Sequence, residues 1–591
     1  MATPMEPSIE EASFESDSPE LNSTWVVLKF GGTSVAAASN WATIAGLVRN
    51  RLKAGLKPVV VHSALKGISK SLEAILARAI DGDVSEQVEA IRAQHMQLAS
   101  ELDLDAEQFL GETFRELEQL LAGIRLVREV SVRSRAKVMA MGEIMATRLG
   151  AEYLKSQGLP VRWVDARTVL NSDSRPGQQR TRDYLSATCD FATDKSMQTA
   201  FSEGEQVVLT QGFIASNCHG ETVLLGRGGS DTSAAYFAAR LEARRLEIWT
   251  DVPGMFTADP RKVPSARLLV ALHYDEAQEL ASAGSSVLHP RCLSPLRRSG
   301  IPLHVRCTTA PHIGGTVVSP VTEEIESQVK GICSRNGLML ISMETVGMWN
   351  EVGFLAKAFA AFGAHRVSVD LISTSETNVT VSIDNSGNEL TDETINELVS
   401  ELEALCRVRL IPDCSAISLV GRKIRTILPR LAPALEVFEE EKIHLMSQAA
   451  NDLNLSFVVD RSQGERLVQK LHSSIIRKSG GSPAFGKSWE QLFDTGTGER
   501  EGAPPWWLEK KAELSVIYYT ADDLNYGVKL RGSNKHFFFI RNSLNRYEKV
   551  YPFQLKSFPE NSNEIEFKLF LDSQHLVLNK QNIELPFEFK N

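Results

Sequence analysis

The sequence lacks any uninterrupted run of about 18 apolar residues, the length that a membrane-spanning helix requires. It also lacks an excess of basic residues, because 74 Asp and Glu against 64 Lys and Arg give a net charge of −10. A chain that repels polyanions on average is a poor candidate for a general nucleic-acid binder. We therefore predict neither a nucleic-acid partner nor a membrane partner.

Two further absences concern the compartment of the protein. The seven cysteines occur singly, without the close pairs that a disulfide scaffold or a zinc site requires. Residues 1–24 hold six acidic residues and no Lys or Arg, whereas an export signal combines basic residues with an apolar core. We therefore expect a disordered acidic leader over residues 1–24, reduced thiols, no bound metal and a cytoplasmic location.

The length of 591 residues predicts roughly four domains, and the texture of the chain changes along it. Residues 25–325 alternate short β-branched runs, such as WVVLKF, KPVVVHSAL and LEIWTDV, with long helical patterns. Strands separated by helices predict an α/β fold whose mostly parallel sheet is sandwiched by helices.

Residues 330–478 contain an internal repeat. The segments Val367–Asp384 and Ile443–Asp460 have equal length, and each passes from an apolar alternation through a polar turn into a strand ending in Asp. Each also follows a helical run. The pattern predicts two ferredoxin-like βαββαβ units, at residues 330–405 and 406–478.

The remainder of the chain has two further textures. Gly, Ser, Pro and Thr are frequent from residue 479 to residue 513, which predicts a linker. Residues 514–591 are rich in Asn, Phe, Tyr and Lys and contain Ala521 as their single alanine. This segment has β-strand propensity and stays without an assigned function.

The first candidate site follows the opening strand, in VVLKFGGTSV (Val26–Val35). Gly31 and Gly32 let the backbone approach a ligand closely, and N–H groups in such a turn can cradle an anion. Lys29 would add a mobile positive charge for a phosphate. An ordinary turn with a structurally satisfied lysine is the alternative, and no Walker-type phosphate loop occurs in the sequence.

The second candidate is LLGRGGSDTSAA (Leu224–Ala235), where a strand again runs into glycines and a helix. Arg227 offers a planar fork for a carboxylate or a phosphate. Asp231 either acts in the site or simply caps the helix. Two such turns in one α/β domain can hold the two ends of a phosphoryl transfer.

The third candidate is IWTDVPGMFTADPRKVPSA (Ile248–Ala266), in which two turns follow a strand. A loop of this length without regular structure tends to be functional. Arg261 is placed to meet a nucleotide phosphate.

Taken together, these segments resemble the signature of aspartate kinases, within the amino-acid kinase family. KFGGTSV, GRGGSD-x-SAA and WTDVPG-x-[FY]-T-x-DPR occur in the family's order, and the resemblance runs from about Trp25 to about Ile476. It implies an amino-acid kinase fold followed by two regulatory ACT domains. The stretch Thr345–Glu376 is similar to the lysine-sensitive subtype.

The resemblance implies transfer of the γ-phosphoryl group of ATP, with Mg²⁺, to the side-chain carboxylate of L-aspartate. The product is 4-phospho-L-aspartate, and the step opens lysine, threonine and methionine biosynthesis by the diaminopimelate route. Because an aspartate carboxylate with a pKa of about 3.9 is already ionised, the site needs no general base and must position two anions. Feedback inhibition by L-lysine and a homodimer or larger homo-oligomer through the ACT domains are also implied.

The resemblance also assigns residues. Lys29 and Asp231 are the expected catalytic residues, with Asp231 orienting Lys29. The expected ATP-binding residues are Lys29, Phe30, Gly31, Gly32, Thr250, Asp251, Phe256 and Arg261. The expected aspartate-binding residues are Ser63, Ser69, Glu143, Arg227, Gly228, Gly229 and Ser230. The expected lysine-binding residues are Met348, Gly353, Phe354, Leu355, Asp370, Ser375 and Glu376.

Within these sets, Glu143 would hold the α-ammonium group of aspartate and Arg227 would bind a carboxylate. An exposed helix carboxylate is the alternative for Glu143, and solvated turn residues are the alternative for Asp370 and Glu376. In the second repeat, Asn451 and Asp452 stand at the equivalent positions, where we expect a dimer contact in place of a ligand role.

Two positions depart from the family pattern. Phe256 stands where the family often has Tyr, and Ser286 stands where relatives commonly carry a lysine that faces the nucleotide. Both changes concern the affinity for ATP rather than the type of reaction.

Three other functions remain open at this stage. Residues 485–514 resemble the junction of fused proteins in which aspartate kinase precedes diaminopimelate decarboxylase, although the remaining residues are too few for a decarboxylase barrel and suggest a truncated product. A non-catalytic amino-acid sensor and a sibling kinase acting on glutamate or carbamate are the others.

Overall fold

The computed structural model describes residues 23–173, 180–204, 207–285, 287–320, 327–345, 353–385, 390–438, 442–476 and 484–493, and six strands between residues 514 and 578. Two compact units divide the chain, residues 1–499 and residues 500–591. Residues 1–22 of the expected leader, Ser286, Met348 and most of the expected linker lie outside the described residues. Within the described ranges, no helix combines the length and the apolar character needed to cross a bilayer.

The first part of the larger unit is built on eleven strands. They are β1 Trp25–Phe30, β2 Lys57–His62, β3 Val161–Val164, β4 Val207–Gln211, β5 Ile214–Ser216, β6 Thr222–Leu224, β7 Arg245–Thr250, β8 Arg267–Leu269, β9 Ala271–His273, β10 Leu303–Cys307 and β11 Thr316–Ser319. Eight of them form one sheet in the order β3-β4-β2-β1-β7-β10-β11-β9. The strands from β3 to β10 in this order run parallel, and β11 is antiparallel to β10.

Helices connect these strands. They are α1 Gly32–Val35, α2 Ala38–Lys53, α3 Ile68–Arg78, α4 Ser85–Glu101, α5 Glu107–Val127, α6 Val132–Ser156, α7 Arg180–Leu185, α8 Lys195–Ser202, α9 Gly229–Arg240, α10 Tyr274–Ser282 and α11 Leu293–Ser299. Every residue of β1 is buried, as expected for a central strand covered on both faces. This architecture agrees with the predicted α/β fold, in which short strands alternate with long helices.

The second part, residues 328–475, is called the regulatory region below after its predicted role, and it is built on one six-stranded sheet. Its elements are β12 Gln328–Glu344, α12 Phe354–Ala364, β13 Ile372–Thr374, β14 Asn378–Asp384, α13 Asp392–Glu403, β15 Arg407–Arg422, α14 Ile424–Leu435, β16 Leu445–Ser447, β17 Asn454–Asp460 and α15 Arg461–Ile475. The strand order is β13-β14-β12-β15-β17-β16, and all neighbours are antiparallel.

Two ferredoxin-like halves share this sheet, because β12 and β15 each run through both. The end of β12, from Leu338 to Glu344, pairs with β14 in the first half, whereas its start pairs with the end of β15 in the second half. The second half therefore begins with Gln328, before the first half. The predicted boundaries at 330–405 and 406–478 require this correction. They assumed that the two copies of the repeat follow one another along the sequence.

Part of the predicted linker is ordered structure instead. β18 Phe485–Ser488 pairs antiparallel with β8, and the short helix α16 Trp489–Phe493 follows it. The linker composition did not reveal the apolar residues that this segment buries.

The smaller unit is described by its strands alone. β19 Leu514–Asp522, β20 Asn525–Leu530, β21 His536–Arg541, β22 Tyr547–Phe553, β23 Ile565–Leu571 and β24 Leu576–Leu578 form a sheet in the order β22-β21-β20-β19-β23-β24. All neighbours are antiparallel, in agreement with the β propensity of the segment.

Candidate active site

The glycine-rich turns meet at one edge of the parallel sheet. β1, β2, β4, β7 and β10 are neighbours, and the carboxyl ends of parallel strands lie at the same edge. The backbone N–H of Ser63 donates to the carbonyl of Phe30 (3.2 Å), and that of Thr308 donates to the carbonyl of Thr250 (2.9 Å). The N–H of Gly31 also donates to the carbonyl of Trp249 (3.2 Å), so a main-chain hydrogen bond joins the first and third predicted motifs.

Lys29 and Asp231 form an ion pair at this edge. Nζ of Lys29 lies 2.5 Å from Oδ1 of Asp231, and both side chains are largely buried. Asp231 lies in the first turn of α9, but the cap residue of that helix is Gly228 and no side chain caps it. The simple cap role that the sequence left open for Asp231 is therefore not observed.

Close packing requires glycine at two positions of the turns. A Cβ atom on Gly32 would lie 2.7 Å from the carbonyl oxygen of Ala64, and one on Gly228 would lie 2.2 Å from Cβ of His289. Gly228 also has a φ of +64°, in the left-handed region that favours glycine. In contrast, a Cβ on Gly31 would meet nothing closer than 3.8 Å, where Nζ of Lys29 lies.

Glu143 is a buried carboxylate with an incomplete set of partners. Only 3% of the residue is exposed, on the inner face of α6. Its Oε1 accepts a long hydrogen bond from the N–H of Ala64 (3.5 Å), and its Oε2 has no hydrogen-bond partner among the described residues. Burial raises the pKa of Glu143 to about 8, against the opposing effect of its backbone hydrogen bonds. The exposed carboxylate considered from the sequence is thus excluded.

A second buried glutamate, Glu247, has all the partners that Glu143 lacks. Nε and Nη2 of Arg51 donate to its two oxygens at 2.9 and 3.1 Å, and Nε of Arg245 donates at 2.7 Å. Trp249 adds a fourth hydrogen bond. Although burial acts in the opposite direction, these guanidinium groups hold the pKa of Glu247 far below its usual value. Glu247 is a structural ion-pair centre, whereas Glu143 is left available for a ligand.

The other residues predicted to bind aspartate lie in the turns of the same edge. Ser63 follows β2, Ser69 is in the first turn of α3, and Ser230 is in the first turn of α9. A Cβ on Gly212 would lie 2.6 Å from Cβ of Ser230, which places Ser230 against the turn after β4. Arg227 is exposed and precedes the cap residue of α9.

Four of the eight predicted ATP-binding residues, Thr250, Asp251, Phe256 and Arg261, line a cavity. It lies between the regulatory region and the first part of the larger unit, which is called the kinase part below after its predicted role. Oγ1 of Thr250 donates to Oδ1 of Asp251 (3.1 Å), and Nη2 of Arg261 lies 4.0 Å from Oδ2 of Asp251. The cavity is lined by Thr250, Asp251, Val252, Phe256, Ala258, Asp259, Pro260, Arg261, Lys262, Gly284, Ser285, Val287, Ile332, Cys333, Ser334 and Val468. Phe30 ends β1, Gly31 follows it as the cap residue of α1, and Gly32 begins α1.

A wider cavity lies elsewhere on the kinase part. It is bordered by Trp25, where β1 begins, and by Cys189, Arg291 and Arg298. None of the residues predicted for ATP or aspartate lines it. Because ligands of parallel sheets bind beyond the carboxyl ends of the strands, the edge with the glycine turns remains the candidate active site.

The sequence reasoning missed two residues at this edge. Phe213 has a φ of +69°, which is uncommon for a bulky residue, and it packs against the backbone of Gly229. His289 packs against Gly228, and burial lowers its pKa. The strand-to-turn sequence TQGF and the LHP turn were the available signals, but neither has the spacing of a recognised motif.

Of the residues predicted to bind lysine, those that the structure describes lie in the first half of the regulatory region. Gly353, with a φ of +97°, precedes α12, and Phe354 packs into the core of this half. Only the backbone of Phe354 can therefore face a ligand at the helix start. Leu355 is 44% exposed, and Glu376 is exposed as well.

Two further members of this set already have partners. Oδ2 of Asp370 lies 3.2 Å from Nη2 of Arg335, and burial raises the pKa of Asp370 although Arg335 opposes the shift. Oγ of Ser375 accepts from the N–H of Asn378 (3.1 Å) in a turn. Asp370 is thus more than a solvated turn residue.

The equivalent positions of the second half make contacts within the chain. Nδ2 of Asn451 donates to Oε1 of Glu279 on α10 (2.9 Å). Oδ1 of Asp452 accepts from the N–H of Arg425 (2.8 Å). Asn451 therefore joins the regulatory region to the kinase part.

These turns around a parallel sheet, with a lysine–aspartate pair and a free buried carboxylate, define an amino acid kinase. Residues 24–307 match the amino acid kinase family, and residues 341–397 match the ACT domain. The relationship is closer still: the chain belongs to the aspartokinase family.

Two relatives and two solved structures illustrate this relationship. The chain is 35% identical to "Lysine-sensitive aspartokinase 3" of Escherichia coli, over 76% of this chain and 99% of that protein. It is 32% identical to "Aspartokinase 1, chloroplastic" of Arabidopsis thaliana, over 76% of this chain and 80% of that protein. The structure of E. coli aspartokinase III with aspartate and ADP has a TM-score of 0.68 at 33% identity, covering 76% and 99% of the two chains. The structure of the same enzyme with lysine and aspartate has a TM-score of 0.61 at 34% identity, covering 77% and 100%.

Proposed function

We propose that this aspartokinase transfers the γ-phosphoryl group of MgATP to the side-chain carboxylate of L-aspartate and is inhibited by L-lysine. The aspartate and ADP bound by the E. coli relative support these substrates. In this proposal Mg²⁺ belongs to the nucleotide substrate, because this ion usually bridges phosphate oxygens. The product, an acyl phosphate, is the start of the amino-acid biosynthesis expected from the sequence.

The single observation that carries the choice of acceptor is the unpartnered oxygen of Glu143. A buried carboxylate without a cation is costly, and an α-ammonium group is the partner that would ionise and satisfy it. The turn of Ala64 joins Glu143 to the strand end that carries Lys29. The acceptor is therefore an amino acid held close to the phosphoryl-binding turn.

Lys29 performs the electrostatic part of the reaction in this proposal. Its ammonium group lies above the open backbone of Gly31 and is held there by Asp231. As the phosphoryl group leaves ADP, Lys29 neutralises charge on its oxygens and the N–H of Gly32 donates to them, whereas the N–H of Gly31 is held by the carbonyl of Trp249 (3.2 Å). Arg227 and the nearby serines bind the carboxylates of aspartate, which attacks in its ionised form.

Replacement of Lys29 tests the reaction. In an assay of ADP formation with aspartate, Lys29→Ala should lower kcat/KM by roughly 10²- to 10³-fold, the effect of removing one preorganised charge. The exposed residue Lys53 on α2 supplies the control variant Lys53→Ala. Turnover by the parent with glutamate or carbamate but not with aspartate would refute the proposed acceptor.

A lysine-binding sensor without catalytic activity is the second candidate. The pairing of Asp370 with Arg335 favours an amino-acid site in the regulatory region whether or not the kinase part is active. Lysine binding measured by calorimetry, without aspartate-dependent ADP formation, would support this candidate. The ion pair of Lys29 and Asp231 favours the enzyme instead.

Decarboxylation of diaminopimelate is not proposed. The described strands from residue 514 to residue 578 form an antiparallel sheet, whereas the decarboxylase barrel is built on parallel strands. Release of carbon dioxide from diaminopimelate would contradict this view. Association of the protein through its regulatory sheets stays part of the proposal, and the oligomeric state in solution tests it.

A further inference from the structure

The segment Ala484–Phe493, called the strap below, adds a strand to the loop that borders the nucleotide cavity. Phe485 pairs with Leu269 and Ser488 pairs with Arg267, both in β8. The matches to the amino acid kinase family and the ACT domain end at residues 307 and 397, so neither includes the strap.

The strap completes a small three-stranded arrangement. On the inner side of β8, the N–H of Thr257 donates to the carbonyl of Arg267 (2.9 Å), and the N–H of Leu269 donates to the carbonyl of Met255 (2.8 Å). On its outer side lies β18 of the strap. The residues from 258 to 266 include cavity-lining residues and connect the segment 255–257 to β8. The base of this loop is therefore fixed by the strap.

Arg267 binds the strap directly. Its Nε donates to the carbonyl of Gly486 (3.0 Å) and its Nη2 to that of Phe485 (2.9 Å). The guanidinium group also lies 5.4 Å from the centre of the Phe485 ring. A planar fork suits this two-carbonyl contact, which a lysine could not reproduce.

An aromatic contact then leads to the cavity. Trp489 of the strap is 3% exposed, and its ring lies edge-to-face with Phe256 at 5.4 Å between centres. Phe493 packs on Trp489 at 4.6 Å and is also buried. Phe256 lines the nucleotide cavity whereas Trp489 does not, so Trp489 packs behind the cavity wall.

We propose that Trp489 is a positioning residue for nucleotide binding, which holds Phe256 and the loop of residues 258–266 in their binding conformation. The proposal rests on the proposed function of this cavity as the ATP site. Aspartate binds at Glu143, in a different set of turns, so the effect of Trp489 should be confined to the nucleotide. The proposal also gives a role to the strap, which lies outside the two matched family regions.

The test uses the full chain and the variants Trp489→Ala and Trp489→Phe. Loss of the edge-to-face contact should raise the KM for ATP and the dissociation constant of ADP by about three- to tenfold. The KM for aspartate and kcat should stay within about twofold of the parent in this case. Trp489→Phe should restore most of the ADP affinity, because an aromatic ring remains.

A variant of matched chemistry elsewhere separates this effect from general destabilisation. Phe438 packs on Phe457 in the regulatory sheet at 4.6 Å and is equally buried, so Phe438→Ala should leave the ADP dissociation constant unchanged. A folded Trp489→Ala protein with the ADP affinity of the parent would overturn the proposal. If Trp489→Ala does not fold, Arg267→Lys replaces it, and unchanged ADP affinity there has the same meaning. A parent protein that binds no ADP would instead refute the proposed function.

Discussion

Glu143 and Glu247 are both buried glutamates, and their partners give them opposite chemical roles. Glu247 is ionised because Arg51 and Arg245 surround it, whereas burial alone raises the pKa of Glu143 to about 8. A carboxylate kept without a cation is unfavourable for stability and useful for binding a ligand that brings its own charge. This difference predicts that Glu143, and not Glu247, binds the substrate.

Glu143→Gln should weaken aspartate binding selectively. Loss of a charge-assisted hydrogen bond of about 1.5–3 kcal/mol raises the KM for aspartate by roughly 10- to 100-fold, with little change in the KM for ATP. Steady-state kinetics with either substrate varied measure the two constants. Glu73, which is 47% exposed in its pair with Arg135, gives the control variant Glu73→Gln. Equal effects of the two variants on the KM for aspartate would contradict the role of Glu143.

Aspartate binding should also release a proton from Glu143. The pKa of Glu143 is about 8 in the free protein, so its carboxyl group is mostly protonated at pH 7 and ionises when an ammonium group binds. The affinity for aspartate should therefore rise as the pH increases from about 5 to 8, by at most tenfold per pH unit. Calorimetry in buffers of different ionisation enthalpy measures the released proton.

In the free protein, the raised pKa of Glu143 makes the fold less stable as the pH rises, whereas the affinity for aspartate increases with pH. Its contribution to stability is present below the unfolded value of 4.5 and is lost as the pH rises through about 8. Glu143→Gln should remove both pH effects, and persistence of the proton release in this variant would assign the proton to another group.

At the scale of elements, the motifs predicted the kinase sheet well because each one combines a strand with the turn that follows it. The segment KFGG leads from the carboxyl end of β1 into α1, and the segment GRGGSD leads into α9. The ion pair of Lys29 and Asp231 forms where these two turns meet. A local pattern of this kind determines its own backbone geometry. The sequence could therefore predict that these two turns approach each other.

Contacts between distant segments could not be predicted in the same way. The strap pairs with β8 although more than 200 residues separate them, and its composition is typical of a linker. Strand β12 runs through both regulatory halves, and its pairing with β15 shifts register near Gly331 and Leu338, which no sequence pattern indicates. Phe213 at positive φ likewise depends on the packing of Gly229 and has no sequence pattern of its own.

Helix α15 connects the second half of the regulatory sheet with the nucleotide loop through a buried histidine. Nε2 of His472 lies 2.8 Å from Oγ1 of Thr257, and burial lowers the pKa of His472 to about 4. Since the unfolded value is 6.5, the neutral histidine contributes stability above pH 6.5, and this contribution is lost as the pH falls through about 4. His62, buried at the end of β2, has the same sign and a pKa of about 4.

His472→Gln should therefore reduce the sensitivity of the fold to acid. Glutamine keeps a hydrogen-bonding group but cannot gain a charge, so the loss of unfolding free energy between pH 7 and pH 5 should be smaller by about 2 kcal/mol. Urea unfolding at the two pH values measures this difference. The exposed residue His219 gives the control variant His219→Gln, for which no such change is expected. An equal pH response of the parent and His472→Gln would place the acid sensitivity elsewhere.

At the scale of the whole larger unit, the nucleotide cavity and the proposed lysine site share strand β12. Ser334 lines the cavity, and its carbonyl oxygen would lie 2.7 Å from a Cβ on Gly284, another lining residue. The next residue, Arg335, pairs with Asp370 of the proposed lysine site. An ammonium group that binds Asp370 must therefore compete with Arg335, which directly follows the cavity-lining residue Ser334.

Arg335→Ala should consequently bind lysine more tightly than the parent while being inhibited less at saturation. The ion pair of the partly exposed Arg335 with Asp370 contributes about 0.5–1 kcal/mol. Its removal lowers the dissociation constant of lysine by roughly two- to fivefold. At the same time, lysine binding can no longer displace a side chain next to the cavity, so the coupling between the two sites decreases. Lysine titrations followed by calorimetry and by ADP formation measure the two effects separately. Arg461→Ala, which breaks the exposed pair with Asp413 in the same sheet, is the control expected to change neither. Weaker lysine binding in Arg335→Ala would mean that Arg335 helps to hold the ligand and does not compete with it.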